Sequence, residues 1–155
     1  STSHDNYTRI NFMKKTNKVL IVSARYYVEL MNNMEADAKL VLENNDHLIS
    51  EYSLIEVPGV FEIPVVLSRY MNKFDGFIAL GCVIKGETPH FDFISAAATD
   101  AIMKISVDNK KPVGNGILTC FNKQQAEIRS KQKGKEAAKA VISVLNELPF
   151  KEYPR

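Results

Sequence analysis

The chain has 155 residues, the size of one compact domain, and its 45% hydrophobic and 25% charged content excludes a disordered or fibrous protein. Lys and Arg number 20 against 18 Asp and Glu, and a net charge of +2 is too small for the basic footprint of a nucleic-acid binder. The longest uncharged apolar stretch, residues 77–84, is too short to cross a bilayer, and no secretory leader pattern is visible, so neither nucleic acid nor membrane is an expected partner.

The elements read in chain order as follows. Residues 1–17 are polar with weak periodicity and form an N-terminal arm, either loose or an edge strand; residues 18–155 form the domain. The chain begins with Ser1 rather than Met, so a start residue is expected upstream. Val19-Leu20-Ile21-Val22 is a short apolar strand. Val28, Met31, Met34, Ala38 and Val41 then recur at steps of three and four, a helix stripe that Asn44-Asn45-Asp46 breaks. Residues 52–57 are β-like and stop at Pro58-Gly59. Ile63, Val66, Leu67 and Tyr70 mark the next helix, with Pro64 in its first turn.

Residues 77–84 are apolar on both faces, as a buried parallel strand should be. Ile94, Ala97, Ala98, Ala101, Ile102 and Ile105 form another helical stripe, and residues 116–120 a last strand. Two helical segments follow, at about 123–130 and 133–148, the second placing Ala137, Val141, Val144, Leu145 and Leu148 on one face. The lysine-rich run 131–135 reads either as the solvated start of that second helix or as a substrate contact. Four alternations of strand and helix predict an open, doubly wound, flavodoxin-like α/β fold, with a four-stranded parallel sheet flanked by helices in three layers.

Ligands of such sheets bind beyond the carboxyl ends of the strands. Four exits are therefore expected at one edge: Ser23-Ala24-Arg25-Tyr26, residues 57–62, residues 84–90, and Thr119-Cys120-Phe121-Asn122. In the third, Gly86 permits a close backbone approach, and the N–H groups of the following helix favour an anion such as phosphate. The same residues also read as a plain helix cap, with Thr88 as cap, Pro89 in the first turn and Asp92 near the positive end. That reading leaves His90 unexplained. An imidazole, with an intrinsic pKa near 6.5, can give and take a proton near neutral pH.

Tyr26, Phe61 and Glu62 offer aromatic faces and a carboxylate to a planar ring, although Phe61 also fits the core and Glu62 a first turn. Arg129 and Lys133 are candidate phosphate partners. His4 and His47 are expected in solvent. Cys82 and Cys120 read as reduced, buried thiols of a cytosolic protein. Neither the cysteines nor the histidines have metal-site spacing, so no metal is expected. No nucleotide-binding glycine loop and no Gly-x-Ser-x-Gly elbow is present, which weakens dehydrogenase, kinase and hydrolase readings.

Several blocks, taken in order, carry a family resemblance. They are Pro58-Gly59-Val60-Phe61-Glu62-Ile63-Pro64; Leu80-Gly81-Cys82-Val83-Ile84-Lys85-Gly86-Glu87-Thr88-Pro89-His90-Phe91-Asp92; Asn115-Gly116-Ile117-Leu118-Thr119; Gln125-Ala126; and Lys133-Gly134 with Glu136-Ala137-Ala138. Together they resemble the 6,7-dimethyl-8-ribityllumazine synthases of riboflavin biosynthesis, from about Lys18 to Leu148.

The resemblance implies condensation of 5-amino-6-(D-ribitylamino)uracil with 3,4-dihydroxy-2-butanone 4-phosphate, releasing phosphate and water without cofactor or metal. It places Tyr26 as the aromatic stacked on the pyrimidine. Val60, Phe61 and Glu62 would line the pyrimidine and ribityl side, and Cys82, Val83 and Ile84 would meet the ring through backbone groups. Glu87 and Thr88 would meet the phosphate, Arg129 would neutralise it, Lys133 would lie near the pocket, and His90 would move protons. It also implies pentamers with sites between subunits.

The chain departs from the family pattern in three places. Asn115 stands where many members have a Phe donated from a neighbour, Lys85 replaces a frequent Arg, and the segment between Arg129 and Lys133 is short. The last favours an isolated pentamer over a closed shell.

Overall fold

A computed structural model of the chain describes residues 16–86, 90–146 and 151–155. Residues 1–15 of the N-terminal arm, Glu87, Thr88, Pro89 and Leu148 lie outside the described residues, and Asn17, read as the end of the arm, instead opens the first strand, where it pairs with the second. The elements alternate in sequence: β1 (Asn17–Ala24), α1 (Val28–Glu43), β2 (Ile49–Val57), a 3₁₀ turn (Val60–Glu62), α2 (Ile63–Tyr70), β3 (Gly76–Ile84), α3 (His90–Asn109), β4 (Val113–Cys120) and α4 (Lys123–Leu145). The four strands form one parallel sheet in the order β2-β1-β3-β4. This is the three-layer, doubly wound architecture that the alternation predicts.

Side-chain alternation along the strands builds two cores. Val19 and Ile21 of β1 and Ile78, Leu80 and Cys82 of β3 face α1 and α4. Leu20, Val22, Phe77 and Ala79 face the other way, onto α2 and α3. β1 and β3 are central and buried on both faces, which is why they read as continuous apolar runs. Burial of each such side chain contributes about 1.5–3 kcal/mol. β2 and β4 form the edges and carry exposed residues, which is why only their apolar ends, 52–57 and 116–120, stand out in the sequence.

Two sequence expectations fail in the last third of the chain. α4 is one unbroken helix from Lys123 to Leu145, not two segments, so the lysine-rich run 131–135 lies mid-helix rather than at a helix start. Val144, expected on the packed face, is about half exposed. The physical reason for the unbroken helix is Gly134. It keeps an ordinary negative φ and acts as a close-approach position rather than a breaker, because a Cβ there would run into the backbone carbonyl of Met34 on α1. The buried face of α4 is a stripe of small residues, Ala126, Ser130, Gly134, Ala137 and Ala138, capped by Val141. Small side chains let α4 lie flush on α1.

Gly134→Ala is therefore expected to destabilise the fold. Alanine would add about 1 kcal/mol of helix propensity, but overpacking against immovable backbone costs about 1–3 kcal/mol or more. Thermal unfolding should show a lower Tm; a raised Tm would mean that α1 and α4 separate at no cost.

Candidate functional site

Because all four strands are parallel, their exits lie at one edge of the sheet. Strand order reverses between β1 and β3, the switch point where such sheets hold ligands. The first exit carries Arg25, Tyr26 and Tyr27. Tyr26 is 76% exposed and meets the Tyr27 ring edge-on at 4.9 Å. Tyr27 packs inward on the core, and its hydroxyl is held above its ordinary pKa by burial first, then by Cys82 and Tyr26.

The second exit turns sharply into the 3₁₀ segment. Gly81 on β3 permits it, since a Cβ at Gly81 would stand 2.6 Å from Val60 Cγ2. Val60 is thereby pressed onto the sheet and buried, while Phe61 projects 69% exposed. Glu62 Oε1 accepts from the Gly59 N–H at 3.1 Å, so the carboxylate fixes its own turn with one oxygen. The cap and the ligand-facing readings of Glu62 are compatible, because its second oxygen is not needed for the cap. Phe61 and Glu62 line an apolar groove of about 470 Å³ with Pro64, Val65 and the α3 residues Ala97, Ala98 and Ala101.

At the third exit, Cys82 is buried, Val83 and Ile84 are half-buried, and the Lys85 N–H extends the ladder to the Cys120 carbonyl at 2.9 Å. His90 is the first residue of α3 and is exposed. The Lys85 ammonium lies 5.4 Å from the Phe121 ring centre, and Phe121 in turn contacts Phe91. The third and fourth exits are thus joined by an aromatic and a cation. At the fourth exit Asn122 caps α4, accepting from the Gln125 N–H at 2.9 Å, while Gln125 Oε1 accepts from the Phe121 N–H at 2.9 Å.

Burial pushes the Cys82 thiol up from 9.0 to about 12, with Cys120 adding to the shift. Both cysteines are free and buried, so neither is a nucleophile at neutral pH. Since the folded-state value is raised, the proton on Cys82 stabilises the fold below about pH 9, and that contribution is lost as pH rises toward 12. Iodoacetamide at pH 8 is expected to leave Cys82 unmodified in the folded protein and to label it on unfolding, read by mass spectrometry. Labelling of folded protein within minutes would contradict this.

Arg129 and Lys133 lie one turn apart on α4, beside the open edge of β4. They line a second groove of about 470 Å³ with Ile117, Leu118, Thr119 and Glu136. Arg129 donates to the Thr119 carbonyl at a long 3.4 Å, and no carboxylate pairs with it among the described residues. Asn115 sits on the same edge, its Oδ1 accepting from the Ile117 N–H at 3.1 Å. It lies five residues before Cys120, about 16 Å back from the exits at roughly 3.3 Å per residue. Within one chain, then, Asn115 does not join Tyr26, Val60, Phe61, Glu62 and His90. No group of three or more metal-ligating side chains occurs among the described residues, and His47 is exposed.

The family described as 6,7-dimethyl-8-ribityllumazine synthase matches residues 16–148, which include every described strand and helix. The chain belongs to the 6,7-dimethyl-8-ribityllumazine synthase family. It is 41% identical over 134 residues to the 6,7-dimethyl-8-ribityllumazine synthase of Novosphingobium aromaticivorans, covering 83% of this chain and 94% of that one. It is 40% identical over 135 residues to that of Zymomonas mobilis, covering 83% and 94%. With that of Agrobacterium fabrum it shares 38% identity over 138 residues, covering 82% and 91%.

In this lumazine synthase-family fold, two exit residues make contacts that the sequence does not reveal. Phe121 bridges Lys85 and Phe91, and its one signal was its place in the fourth exit. Arg25 pairs with Glu35 on α1, ten residues on, a spacing that carries no motif.

Proposed function

We propose that the chain condenses 5-amino-6-(D-ribitylamino)uracil with 3,4-dihydroxy-2-butanone 4-phosphate to 6,7-dimethyl-8-ribityllumazine, releasing phosphate and water, the penultimate step of riboflavin biosynthesis. The family match over residues 16–148 carries this reading. The amine condenses with the ketone and loses water; phosphate then leaves with loss of a proton from carbon, and the enol so formed becomes a ketone; the second amine closes the ring on that carbonyl and a second water is lost. This chemistry needs two substrates held together and a proton carrier, with positioning as a large share of the rate.

The exits supply those parts. Tyr26 presents its face to the pyrimidine. Val60, Phe61 and Glu62 border the ribityl side, with the free Glu62 oxygen accepting from ribityl hydroxyls. Backbone groups of Cys82, Val83 and Ile84 meet the ring edge. Glu87, Thr88 and Arg129 hold the phosphate, Lys133 adds positive charge, and His90 moves protons during phosphate loss.

The site is completed by a neighbouring copy of the chain in a pentamer. The position of Asn115, Arg129 and Lys133 on the open β4 edge supports this, as does the apolar surface of the α2–α3 layer. There Phe61, Val65, Phe93, Met103 and Val107 are each more than half exposed, and α3 buries two of its twenty residues. Two free thiols support a reducing, cytoplasmic setting. No described helix is long and apolar enough to cross a membrane.

The decisive test mixes the two substrates with folded protein and follows lumazine fluorescence and inorganic phosphate together. Both products are expected. Folded protein that binds the substrates yet releases neither product would make the chain a non-catalytic or shell-forming relative.

A further inference from the structure

Arg25 stands at the first strand exit, immediately before Tyr26, and has the chemistry to bind phosphate. Its geometry assigns it elsewhere. Nη1 donates to both Glu35 carboxylate oxygens at 2.8 and 2.9 Å, and Nη2 donates to Asn32 Oδ1 at 2.7 Å. Nε faces Glu56 Oε1 on β2 at 3.6 Å, and the Arg25 backbone N–H donates to the Val57 carbonyl at 2.9 Å. The guanidinium is thus committed on every edge to protein groups from α1 and β2. The pair is largely withdrawn from water, with side-chain exposures of 20% for Arg25 and 10% for Glu35.

On the other side of Tyr26, Tyr27 is partly buried against the core that α1 helps to form, and its backbone carbonyl accepts the Met31 N–H at 3.1 Å. Tyr26 therefore projects from a turn pinned at both neighbours. α1 begins without a side-chain cap, so the ion pair and Tyr27 do the fixing that a cap would otherwise share.

We propose that the Arg25–Glu35–Asn32 cluster is a positioning device for the pyrimidine subsite, orienting Tyr26 without touching substrate. It acts through a forked, directional grip that neither a lysine nor an apolar pair reproduces. The proposal rests on the reading that Tyr26 stacks on the pyrimidine.

The test compares three variants of the full chain by steady-state kinetics and thermal unfolding. Tyr26→Ala measures the stack itself. Arg25→Met combined with Glu35→Leu removes the pair without stranding a buried charge, so the fold is kept. Asn32→Ala, on the exposed side of α1, removes one bond and leaves the ion pair. Tyr26→Ala should raise KM for the pyrimidine substrate by about tenfold, the scale of one aromatic stack. The double variant should raise it by about fivefold or more through misplacement of the ring, with KM for the butanone phosphate and Tm unchanged. Asn32→Ala should give a smaller rise of the same kind.

If Tyr26→Ala raises the pyrimidine KM and the double variant does not, the positioning role is wrong. A double variant that raises both KM values equally while lowering Tm shows a structural pair only, and also overturns it. If Tyr26→Ala leaves the pyrimidine KM unchanged, the stacking assignment falls and the positioning role falls with it.

Discussion

His90→Ala is expected to lower kcat by about 10²–10⁴-fold, the usual worth of one positioned acid–base group, while KM for each substrate stays within about twofold. His90 opens α3 directly beyond the β3 exit, next to the chain segment that the family pattern assigns to phosphate. It is exposed in the single chain, so the substitution should cost the fold little. Phosphate loss needs a proton taken from carbon and protons supplied to the leaving oxygens. An imidazole does both near neutral pH, and alanine does neither. His90→Gln separates size from proton transfer, because the amide fills a similar volume but does not titrate. An unchanged kcat in both variants would remove His90 from the chemistry.

The second large effect belongs to Arg129. Arg129→Ala should raise KM for the butanone phosphate by about 10–100-fold, as expected for loss of a charge-assisted hydrogen bond of about 1.5–3 kcal/mol, with little change in KM for the pyrimidine. Arg129 reaches the open edge of β4 with one weak internal bond, and so costs the fold little when truncated. Arg129→Lys should recover part of the loss, since the charge returns but the fork does not. Equal rises in both KM values would mean that the residue shapes the site as a whole and makes no specific phosphate contact.

Much of the architecture was legible because the central strands declare themselves. β1 and β3 are buried on both faces, so their composition alone separates them from helices. α1 was almost as plain: Met31, Met34, Ala38 and Val41 are buried as their spacing requires, while Val28, read as the start of the same stripe, is half exposed in the first turn. α4 was misread for a specific reason. Glycine in a helical pattern reads as a break, and nothing local shows that the backbone of Met34 will lie against it. Val144 was placed in the core by periodicity, but α1 covers a narrower and more small-residued stripe of α4 than an amphipathic pattern suggests.

The exits followed from topology, and topology followed from alternation. Tyr26, Phe61, Glu62 and His90 could be named because each sits just past a strand. Asn115 could be named by its place in a family block alone; its distance from the other exit residues appears only when β4 is laid out in register with β3, where Asn115 pairs with Ala79 well back from the edge.

The sequence by itself determined the α/β class, the parallel sheet, the edge at which the strand exits gather and the family, because each depends on local pattern and motif order. Tertiary structure alone decided that α4 runs unbroken, that Cys82 is protonated and inert, that Asn115 stands apart, and that Arg25 is bound to Glu35 and not open to phosphate. Each of those depends on which backbone or charge from a distant segment occupies the adjoining space, and that is set by packing between elements, which no local pattern encodes.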